Sequence, residues 1–504
     1  MQIYTTQQIK AIDALTMRYE PISSIDLMER AAKRIFEWLA AHISPSQRVV
    51  VLCGPGNNGG DGLAVARMLH QCFFRVEVYC LEATTHSADF EQNLHRLRQA
   101  GIKPQTISSS ISLPPLSSNC LVVDALFGSG LSRPLSGLAA QLVEHINAAQ
   151  VQVISIDMPS GMAGEEHPKH WSTVRSNMCL TLGQPKLSLL MPESAPYVQQ
   201  WEVLDIGLHP QALAETPTPY HFTTEADVRR LMLPRSRFTH KGSMGHTLIV
   251  AGSLGMIGAA VLCTHGALRS GTGLVTAHVP HYGEIPMMQH QPEALLSIDP
   301  NVGRFTTLTP TFNRTYSAAA IGPGLGTHPE TATALADFLR QASYPLVLDA
   351  DALNIIAQNP TLWELVPQNT IITPHPKEFE RLFGATTSGY AQLQKARAEA
   401  QAHNIVIVLK GAYTQVVLPN GDVRINSTGN SGMATGGSGD VLSGLIAGLL
   451  AQGYNPESAA IVGTYTHGLA GDLAAKKCGE HGMNSTDIAN FVALALKRLY
   501  SQTY

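Results

Sequence analysis

Short apolar segments alternate with helical patterns along almost the whole chain, and this alternation restricts the possible folds to a small set. In the first half, segments rich in β-branched residues predict strands at residues 48–53, 75–80, 120–124, 151–157 and 178–182. Helical patterns lie between several of them, at residues 63–72, 89–100 and 137–149. Short apolar strands separated by helices predict a mostly parallel sheet covered on both faces, which is an α/β fold.

The same alternation resumes in the second half of the chain. Strands are predicted at residues 246–251, 318–321, 346–349, 370–372, 405–409, 415–418 and 423–426. Helices are predicted at residues 258–270, 439–452, 456–477 and 485–500. Asn420 and Gly421 separate the last two strands and predict the turn of a β-hairpin.

The length of 504 residues predicts more than one domain, because a single hydrophobic core rarely grows to this size. Residues 208–220 contain three prolines and few apolar side chains, which is typical of a linker. We therefore predict an N-terminal domain over residues 1–212, a linker over 213–221 and a C-terminal domain over 222–504.

The amino-acid composition of the chain indicates which kinds of binding partner to expect. Lys and Arg total 34 and Asp and Glu total 38, so the charge gives no sign of nucleic-acid or anionic-membrane binding. No apolar segment is long enough to span a bilayer, and the first residues lack the basic and apolar regions of a secretory signal. The 7 cysteines include no C-x-x-C pair, which favours free thiols in a reducing cytoplasm. We therefore expect a cytoplasmic protein.

The first glycine-rich loop, GPGNNGGDG at residues 54–62, follows a predicted strand and precedes a helical pattern. Gly54, Gly56 and Gly59 satisfy the G-x-G-x-x-G pattern of dinucleotide-binding folds. Glu82 lies near the end of the next predicted strand, where a ribose-binding acid would be expected. A dehydrogenase is therefore one interpretation of this loop.

Two details favour a different ligand. The loop lacks the G-K-[S/T] sequence of a P-loop and is rich in acceptors, which are Asn57, Asn58 and Asp61. Further oxygen-bearing side chains, Asp124, Asp157 and Ser160, lie at or just after the ends of other predicted strands, and ligands of open α/β sheets collect beyond strand carboxyl ends. Such oxygens suit a hard cation. Any one of these carboxylates alone is more often a cap or turn residue.

A second glycine-rich loop, GNSGMATGGSGDVL at residues 429–442, leads into an apolar helical pattern. It would present backbone N–H groups at a helix N-terminus, where anions are favoured. Asp440 would repel a phosphate there, but it is well placed if a hydroxyl must lose a proton while a phosphoryl group arrives. Asp440 could equally be a helix N-cap, and the loop alone leaves both interpretations open.

Three shorter motifs accompany this loop. Glycines at residues 322–326 follow a predicted strand and would let a nucleotide approach the backbone. His375 lies between two prolines at a strand end, which indicates either a ligand contact or simply a rigid turn. Lys410 beside Gly411 at another strand end favours a phosphate contact, although a lone lysine is usually a solvated charge.

The sequences GPGNNGGDG, VDALFGSGLSRP at residues 123–134 and IDMPSG at 156–161 together resemble the NAD(P)H-hydrate epimerase domain. The resemblance implies contacts to a hydrated nicotinamide nucleotide from Asn57, Asn58, Gly59, Gly60, Asp61, Gly128, Ser129, Gly130, Leu131, Ser132, Arg133, Pro134 and Asp157. It also implies a potassium ion bound by Asn58, Asp124 and Ser160. The oxygen-rich loops agree with a cation but do not by themselves select potassium.

From about residue 222 onward, the chain resembles the ADP-dependent NAD(P)H-hydrate dehydratase, which has a ribokinase-like fold. The matching segments, in order, are HKGSMGH at 240–246, GAA at 258–260, GPGLG at 322–326, TPHP at 373–376, KGAYT at 410–414 and the Asp440 loop. The resemblance implies that the adenine nucleotide contacts Lys410, Gly411, Ala412, Tyr413, Thr414 and Gly439. It implies that the hydrate contacts Ala259, Gly324, His375 and Asp440.

Both resemblances together imply a bifunctional enzyme that repairs hydrated NADH and NADPH, with a Rossmann-like three-layer domain followed by a ribokinase-like domain. The first domain would be an isomerase that interconverts the (R)- and (S)-hydrates. The second would be a lyase that dehydrates the (S)-hydrate with ADP and Mg²⁺, with Asp440 as catalytic base, giving AMP and phosphate. A ribokinase-class kinase with an accessory domain and a nucleotide-binding scaffold without turnover are the alternatives. We also expect small-molecule substrates, no nucleic-acid or membrane partner, and a homo-oligomer.

Overall fold

The computed structural model describes residues 1–308 and 315–500, which form two compact units. The N-terminal unit contains Gln2–Thr218 and Ser388–Ala391, and the C-terminal unit contains Met1, Pro219–Thr387 and the described residues from Gln392 onward. The predicted linker at 213–221 includes the end of a short helix and the start of a strand. The predicted domain boundaries stay a prediction, and residues 501–504 of the second predicted domain lie outside the described residues.

The N-terminal unit contains helices and strands in an alternating order. They are β1 (Gln2–Ile3), α1 (Thr6–Tyr19), α2 (Ser24–His42), β2 (Arg48–Cys53), α3 (Asn57–Gln71), β3 (Arg75–Leu81), α4 (Ala88–Gln99), β4 (Gln105–Ile107), β5 (Cys120–Ala125), α5 (Gly137–Ala148), β6 (Gln152–Ile156), β7 (Ser176–Leu182), β8 (Val198–Leu204) and α6 (Pro210–Ala214). The sheet has 7 strands in the order β4-β3-β2-β5-β6-β7-β8, and each neighbouring pair is parallel.

Strand β2 shows why this unit has three layers. Val49 and Val51 belong to a core that includes apolar side chains of α2, α3 and α4. Val50 and Leu52 point to the opposite face and belong to a core that includes side chains of α5. Because successive strand residues face opposite sides, a fully apolar strand requires cover on both faces. The predicted α/β class is confirmed.

Helix α3 begins earlier than predicted, at Asn57 instead of residue 63, so that most of the glycine-rich loop is helical. A Cβ atom on Gly59 would lie 1.8 Å from the carbonyl oxygen of Gly54, and one on Gly62 would lie 2.5 Å from the Cβ of Ala125. Glycine is a poor helix former, but here it is required by close packing of the helix on the sheet.

The C-terminal unit repeats the α/β pattern with a larger sheet. Its elements are β9 (Tyr220–Thr223), α7 (Glu225–Leu231), β10 (His246–Val250), α8 (Ile257–Arg269), β11 (Leu274–Pro280), α9 (Glu284–His290), β12 (Leu295–Asp299), β13 (Ala318–Ile321), α10 (Pro329–Gln341), β14 (Leu346–Leu348), α11 (Asp351–Gln358), β15 (Ile371–Ile372), α12 (Pro376–Phe383), α13 (Gly389–His403), β16 (Val406–Leu409), β17 (Gln415–Val417), β18 (Val423–Asn426), α14 (Ser438–Ala451), α15 (Pro456–Cys478) and α16 (Ser485–Tyr500).

The strands of this unit follow the order β9-β18-β17-β16-β15-β14-β13-β10-β11-β12. In this spatial order, every neighbouring pair from β16 through to β12 is parallel. Strand β17 pairs antiparallel with both β16 and β18. The predicted hairpin at Asn420 and Gly421 is thereby confirmed. Helices α8, α14, α15 and α16 share one core on one face of the sheet. No helix among residues 1–308 and 315–500 is long and apolar enough to cross a membrane.

Candidate active sites

The carboxyl ends of β5 and β6 in the N-terminal unit meet at the buried carboxylate of Asp124. The hydroxyl of Ser160 donates to Asp124 Oδ1 at 2.5 Å, and the backbone N–H of Ser160 donates to Oδ2 at 2.8 Å. Ser155 Oγ also donates to Oδ2, at 2.9 Å. Burial raises the pKa of Asp124, and these hydrogen bonds oppose that rise.

Asn58 lies next to this cluster, in the first turn of α3. A Cβ atom on Gly128 would lie 3.2 Å from Asn58 Oδ1 and 3.0 Å from Asp157 Oδ2, which places the loops after β2, β5 and β6 side by side. The amide nitrogen of Asn58 is buried and has no hydrogen-bond partner among the described residues. The structure therefore brings amide, carboxylate and hydroxyl oxygens to one end of the sheet, as the sequence predicts.

A cavity of about 520 Å³ opens beside these loops. The predicted contacts that line it are Asn57, Asn58, Asp61, Gly128, Ser129, Gly130, Leu131 and Asp157. The predicted contacts outside its lining are Gly59, Gly60, Ser132, Arg133 and Pro134. Gly60 faces inward, because a Cβ atom there would lie 2.8 Å from the sulfur of Met28. The role of each of these residues stays a prediction.

The same cavity contains an ion pair that the sequence analysis did not predict. Lys186 is 2% exposed, and its Nζ lies 2.5 Å from Asp157 Oδ1 and donates to the carbonyl oxygen of Leu182 at 2.8 Å. Ser129 N donates to Asp157 Oδ2 at 3.0 Å. Burial acts to raise the pKa of Asp157, but the charge of Lys186 and the hydrogen bonds from Lys186 and Ser129 together lower it. Burial raises the pKa of the nearby Asp13 to about 6.

In the C-terminal unit, Asp440 is the third residue of α14 and is not its N-cap. The N-cap is Gly437, whose φ of 89° is readily adopted only by glycine. No hydrogen bond to the carboxyl group of Asp440 is present among the described residues. Burial, assisted by the charge of Asp349, raises the pKa of Asp440 to about 7, and Lys410 opposes that rise. The N-cap interpretation is therefore excluded.

Lys410 lies beside the start of α14 and is held by carboxylates. Its Nζ lies 2.8 Å from Asp349 Oδ1 and 3.8 Å from Glu378 Oε2. The hydroxyl of Ser443 donates to the other oxygen of Asp349 at 2.6 Å. A Cβ atom on Gly439 would lie 3.2 Å from Lys410 Nζ, so the predicted nucleotide contacts Lys410 and Gly439 are neighbours. Burial acts to lower the pKa of Lys410, but the neighbouring carboxylates, chiefly Asp349 and then Glu378, together raise it.

A strained residue follows Asp349. Ala350 has φ 48° and ψ −116°, a conformation that costs a non-glycine residue about 1–3 kcal/mol. The turn directs Asp349 to Lys410 and Asp351 to the glycine loop, where Gly326 N donates to Asp351 Oδ2 at 2.8 Å. One turn therefore positions groups on two different loops.

The predicted hydrate contacts lie near these groups. A Cβ atom on Gly324 would lie 2.9 Å from the Cβ of Ala259, so these two residues are adjacent. His375 is the N-cap of α12, where its Nδ1 accepts from Lys377 N at 3.1 Å and Glu378 N at 3.3 Å. Burial and the charge of Lys410 lower the pKa of His375. The rigid-turn interpretation of His375 therefore agrees with the structure, and its ligand contact stays a prediction.

The remaining predicted nucleotide contacts form a tight turn after β16. Gly411 N donates to Thr414 Oγ1 at 3.4 Å, and Thr414 Oγ1 donates to the carbonyl oxygen of Gly411 at 3.1 Å. Ala412 and Tyr413 lie within the turn. The turn immediately follows Lys410, so a nucleotide phosphate on Lys410 would lie close to it.

Comparison with known proteins relates each half of the chain to a known family. Residues 24–188 match the family described as YjeF-related protein N-terminus, and residues 247–493 match the family described as NAD(P)H-hydrate dehydratase. The bifunctional NAD(P)H-hydrate repair enzyme of Moorella thermoacetica is 36% identical, over 99% of this chain and 97% of that protein. The enzyme of the same name from Thermofilum pendens is 34% identical over 99% and 97%, and that of Escherichia coli is 32% identical over 92% and 88%.

The chain belongs to the bifunctional NAD(P)H-hydrate repair enzyme family. The predicted family, the predicted Rossmann-like and ribokinase-like fold class and the predicted role in metabolite repair are confirmed, and a dehydrogenase, a simple kinase or a scaffold is not favoured. The crystal structure of an ADP/ATP-dependent NAD(P)H-hydrate dehydratase from Bacillus subtilis, co-crystallized with ATP and Mg²⁺, is 33% identical. That alignment covers 55% of this chain and 98% of that one, with a TM-score of 0.49.

Several polar residues in the two sites of this repair enzyme were not predicted from the sequence. They are Asp13, Lys186, Asp349, Glu378 and Ser443. Asp349 ends one predicted strand and Lys186 lies four residues after another, and a position at a strand end is the signal that selected Asp124 and Lys410. Applied to every strand end, that signal would have found both.

Proposed function

We propose that the N-terminal unit interconverts the (R)- and (S)-hydrates of NADH and NADPH, and that the C-terminal unit dehydrates the (S)-hydrate with ADP. The observation that supports the proposed dehydration is the environment of the Asp440 carboxyl group. It has no hydrogen-bond partner among the described residues, and it lies at the start of α14, beside Gly439 and near Lys410. This is the arrangement expected of a base that ionises a hydroxyl in front of a phosphate site.

In the dehydration, Asp440 accepts the proton of the hydrate's C6 hydroxyl while the hydroxyl oxygen attacks the β-phosphorus of ADP. The bond from that phosphorus to the bridging oxygen breaks, and AMP leaves. The ring nitrogen then expels phosphate from C6, and loss of a C5 proton restores NAD(P)H. Phosphorylation is useful because hydroxide is a poor leaving group and phosphate a far better one. Lys410 and the N–H groups at residues 436–439 stabilise the transferred phosphoryl group.

Magnesium would accompany the nucleotide and neutralise charge on its phosphates. No group of three or more His, Cys, Asp or Glu side chains among residues 1–308 and 315–500 is arranged to hold a metal ion. Both oxygens of Asp349 are already engaged, by Lys410 and by Ser443. The ion would therefore rest mainly on phosphate oxygens and water, as Mg²⁺ commonly does.

Potassium is the ion proposed for the N-terminal unit, held by Asn58, Asp124 and Ser160. All three side chains offer oxygen atoms, and two hydrogen bonds from Ser160 hold it against the carboxylate of Asp124. The hydrate would occupy the adjacent cavity of about 520 Å³. An epimerase on the same chain would prevent the hydrate of the opposite hand from accumulating. We also propose a homo-oligomer in the cytoplasm, without nucleic-acid or membrane partners.

The test supplies a mixture of both hydrate epimers with ADP and follows free phosphate and the absorbance of the reduced coenzyme. Complete recovery of coenzyme, with one phosphate released per hydrate, is expected. A stable phosphorylated product without recovered coenzyme would favour a kinase, and nucleotide binding without phosphate release would favour a scaffold. The variant Asp440→Asn should stop dehydration while epimerisation continues. A wild-type dehydration rate in this variant would contradict the role of Asp440.

A further inference from the structure

One carboxyl group in the N-terminal cavity has no role beyond its predicted contact with the hydrate. Asp61, in the second turn of α3, lines the cavity although the residue is only 8% exposed. No hydrogen bond to this carboxyl group is present among the described residues. Its oxygen atoms are not among the fully enclosed polar atoms that lack a partner, so they face the cavity, where a bound substrate would meet them.

The surroundings of Asp61 oppose its ionisation. Acidic side chains from four other segments act on it, which are Asp13, Glu29, Asp89 and Asp157. The ammonium group of Lys186 is bound directly to Asp157. Burial and these negative charges raise the pKa of Asp61 well above its usual range. Burial among these acidic side chains therefore favours the neutral carboxylic acid over the carboxylate, which suits Asp61 to give a proton more than to accept one.

A neutral acid favours one of the two ways to invert C6 of the hydrate. Opening the C6–N1 bond begins with removal of the hydroxyl proton, which requires a base. Opening the C6–O bond begins with protonation of the hydroxyl oxygen, which requires an acid. We propose, given the epimerase function proposed above, that Asp61 is a catalytic residue that protonates the C6 hydroxyl and so opens the C6–O bond.

The proton moves from the Asp61 carboxyl to the hydroxyl oxygen, and the C6–O bond breaks with its electron pair remaining on oxygen. Water departs, and the lone pair of N1 forms a double bond to C6. A water molecule then adds to the opposite face of C6, and the double-bond electrons return to nitrogen. The proton that this water loses passes to Asp13 on α1, whose side chain also lines the cavity. Proton exchange with solvent restores the neutral Asp61 and the ionised Asp13.

Asp61→Asn tests the acid, because the amide keeps the size of the side chain but cannot donate an acidic proton. With one purified epimer, full-length protein and no ADP, kcat for epimerisation should fall by about 10²–10⁴-fold, while KM changes little. The dehydratase activity of the same polypeptide reports whether the variant is folded. Asp61→Glu should recover part of kcat. Glu37→Gln, which removes an exposed negative charge on α2 that pairs with Arg34 outside the cavity lining, is the control and should keep kcat.

If Asp61→Asn raised KM and left kcat unchanged, Asp61 would only bind the substrate. That result would overturn the inference. A second measurement follows the bond itself, using wild-type protein in water enriched in ¹⁸O. Each inversion should place the heavy isotope in the C6 hydroxyl, and epimerisation without incorporation would show that the C6–O bond stays intact. If the wild-type protein does not equilibrate the epimers at all, the epimerase function itself fails, which is a different outcome.

Discussion

The raised pKa of Asp440 makes the pH dependence of dehydration a direct measure of its role. A base must be ionised to accept a proton, so a pKa of about 7 means that activity is lost as the pH falls through that value. One pH unit below this pKa, about 10% of the molecules carry the carboxylate, and two units below, about 1%. We therefore expect kcat/KM for the hydrate to fall about tenfold per unit below pH ~7.

The assay uses the purified (S)-hydrate at low concentration with saturating ADP and Mg²⁺, and follows recovery of the reduced coenzyme at constant ionic strength. Asp440→Asn provides the control, because its residual rate should be about 10²–10⁴-fold lower and should lack this acidic limb. Activity that stays level from about pH 8 down to about pH 5.5 would refute the reasoning, since an unperturbed aspartate ionises near pH 4. An unchanged limb in Asp440→Asn would assign the titration to another group.

Three further outcomes follow from the described contacts. Asp349→Asn should move the acidic limb of dehydration to lower pH, because it removes a negative charge that raises the pKa of Asp440; a limb that stays in place would contradict this. Asp124→Asn should weaken the response of epimerisation to KCl, with dehydration unchanged in the same preparation. Gly444→Ala should lower the free energy of unfolding by about 1–3 kcal/mol by calorimetry, since its Cβ would lie 1.8 Å from a carbonyl oxygen of α8. Gly258→Ala, whose Cβ meets nothing within 4 Å, is the control.

Strands buried on both faces were the most predictable elements. Residues 48–53 and 318–321 match β2 and β13 at both ends. Such strands can be recognised from the local sequence alone, because they are runs of apolar or β-branched residues between turn signals. By contrast, no strand was predicted for β11 (Leu274–Pro280), which contains a histidine. His278 is 1% exposed, and a hydrogen bond to Ser297 of the neighbouring strand satisfies it in the core.

The two sites were predictable up to the position of each loop. Glycine-rich loops after strands identify where a ligand approaches, and the α/β topology brings those loops to one edge. The ion pairs were not predictable, because they join residues far apart in sequence. Lys186 meets Asp157 from a loop after a different strand, and Lys410 meets Asp349 from 61 residues away. For Asp440, only the structure showed that the carboxylate is not a helix cap, because the N-cap of α14 is Gly437.

The strained turn at Ala350 has a consequence for engineering this enzyme. Ala350→Gly would relieve the backbone cost, yet it would also let the peptide between Asp349 and Asp351 reorient, since glycine has many more accessible conformations. The groups that these two acids hold, Lys410 and the N–H of Gly326, would then no longer keep a fixed separation. A substitution that raises the free energy of unfolding would thus slow turnover, because catalysis depends on the fixed conformation of this turn. That conformation holds the two loops at a constant separation.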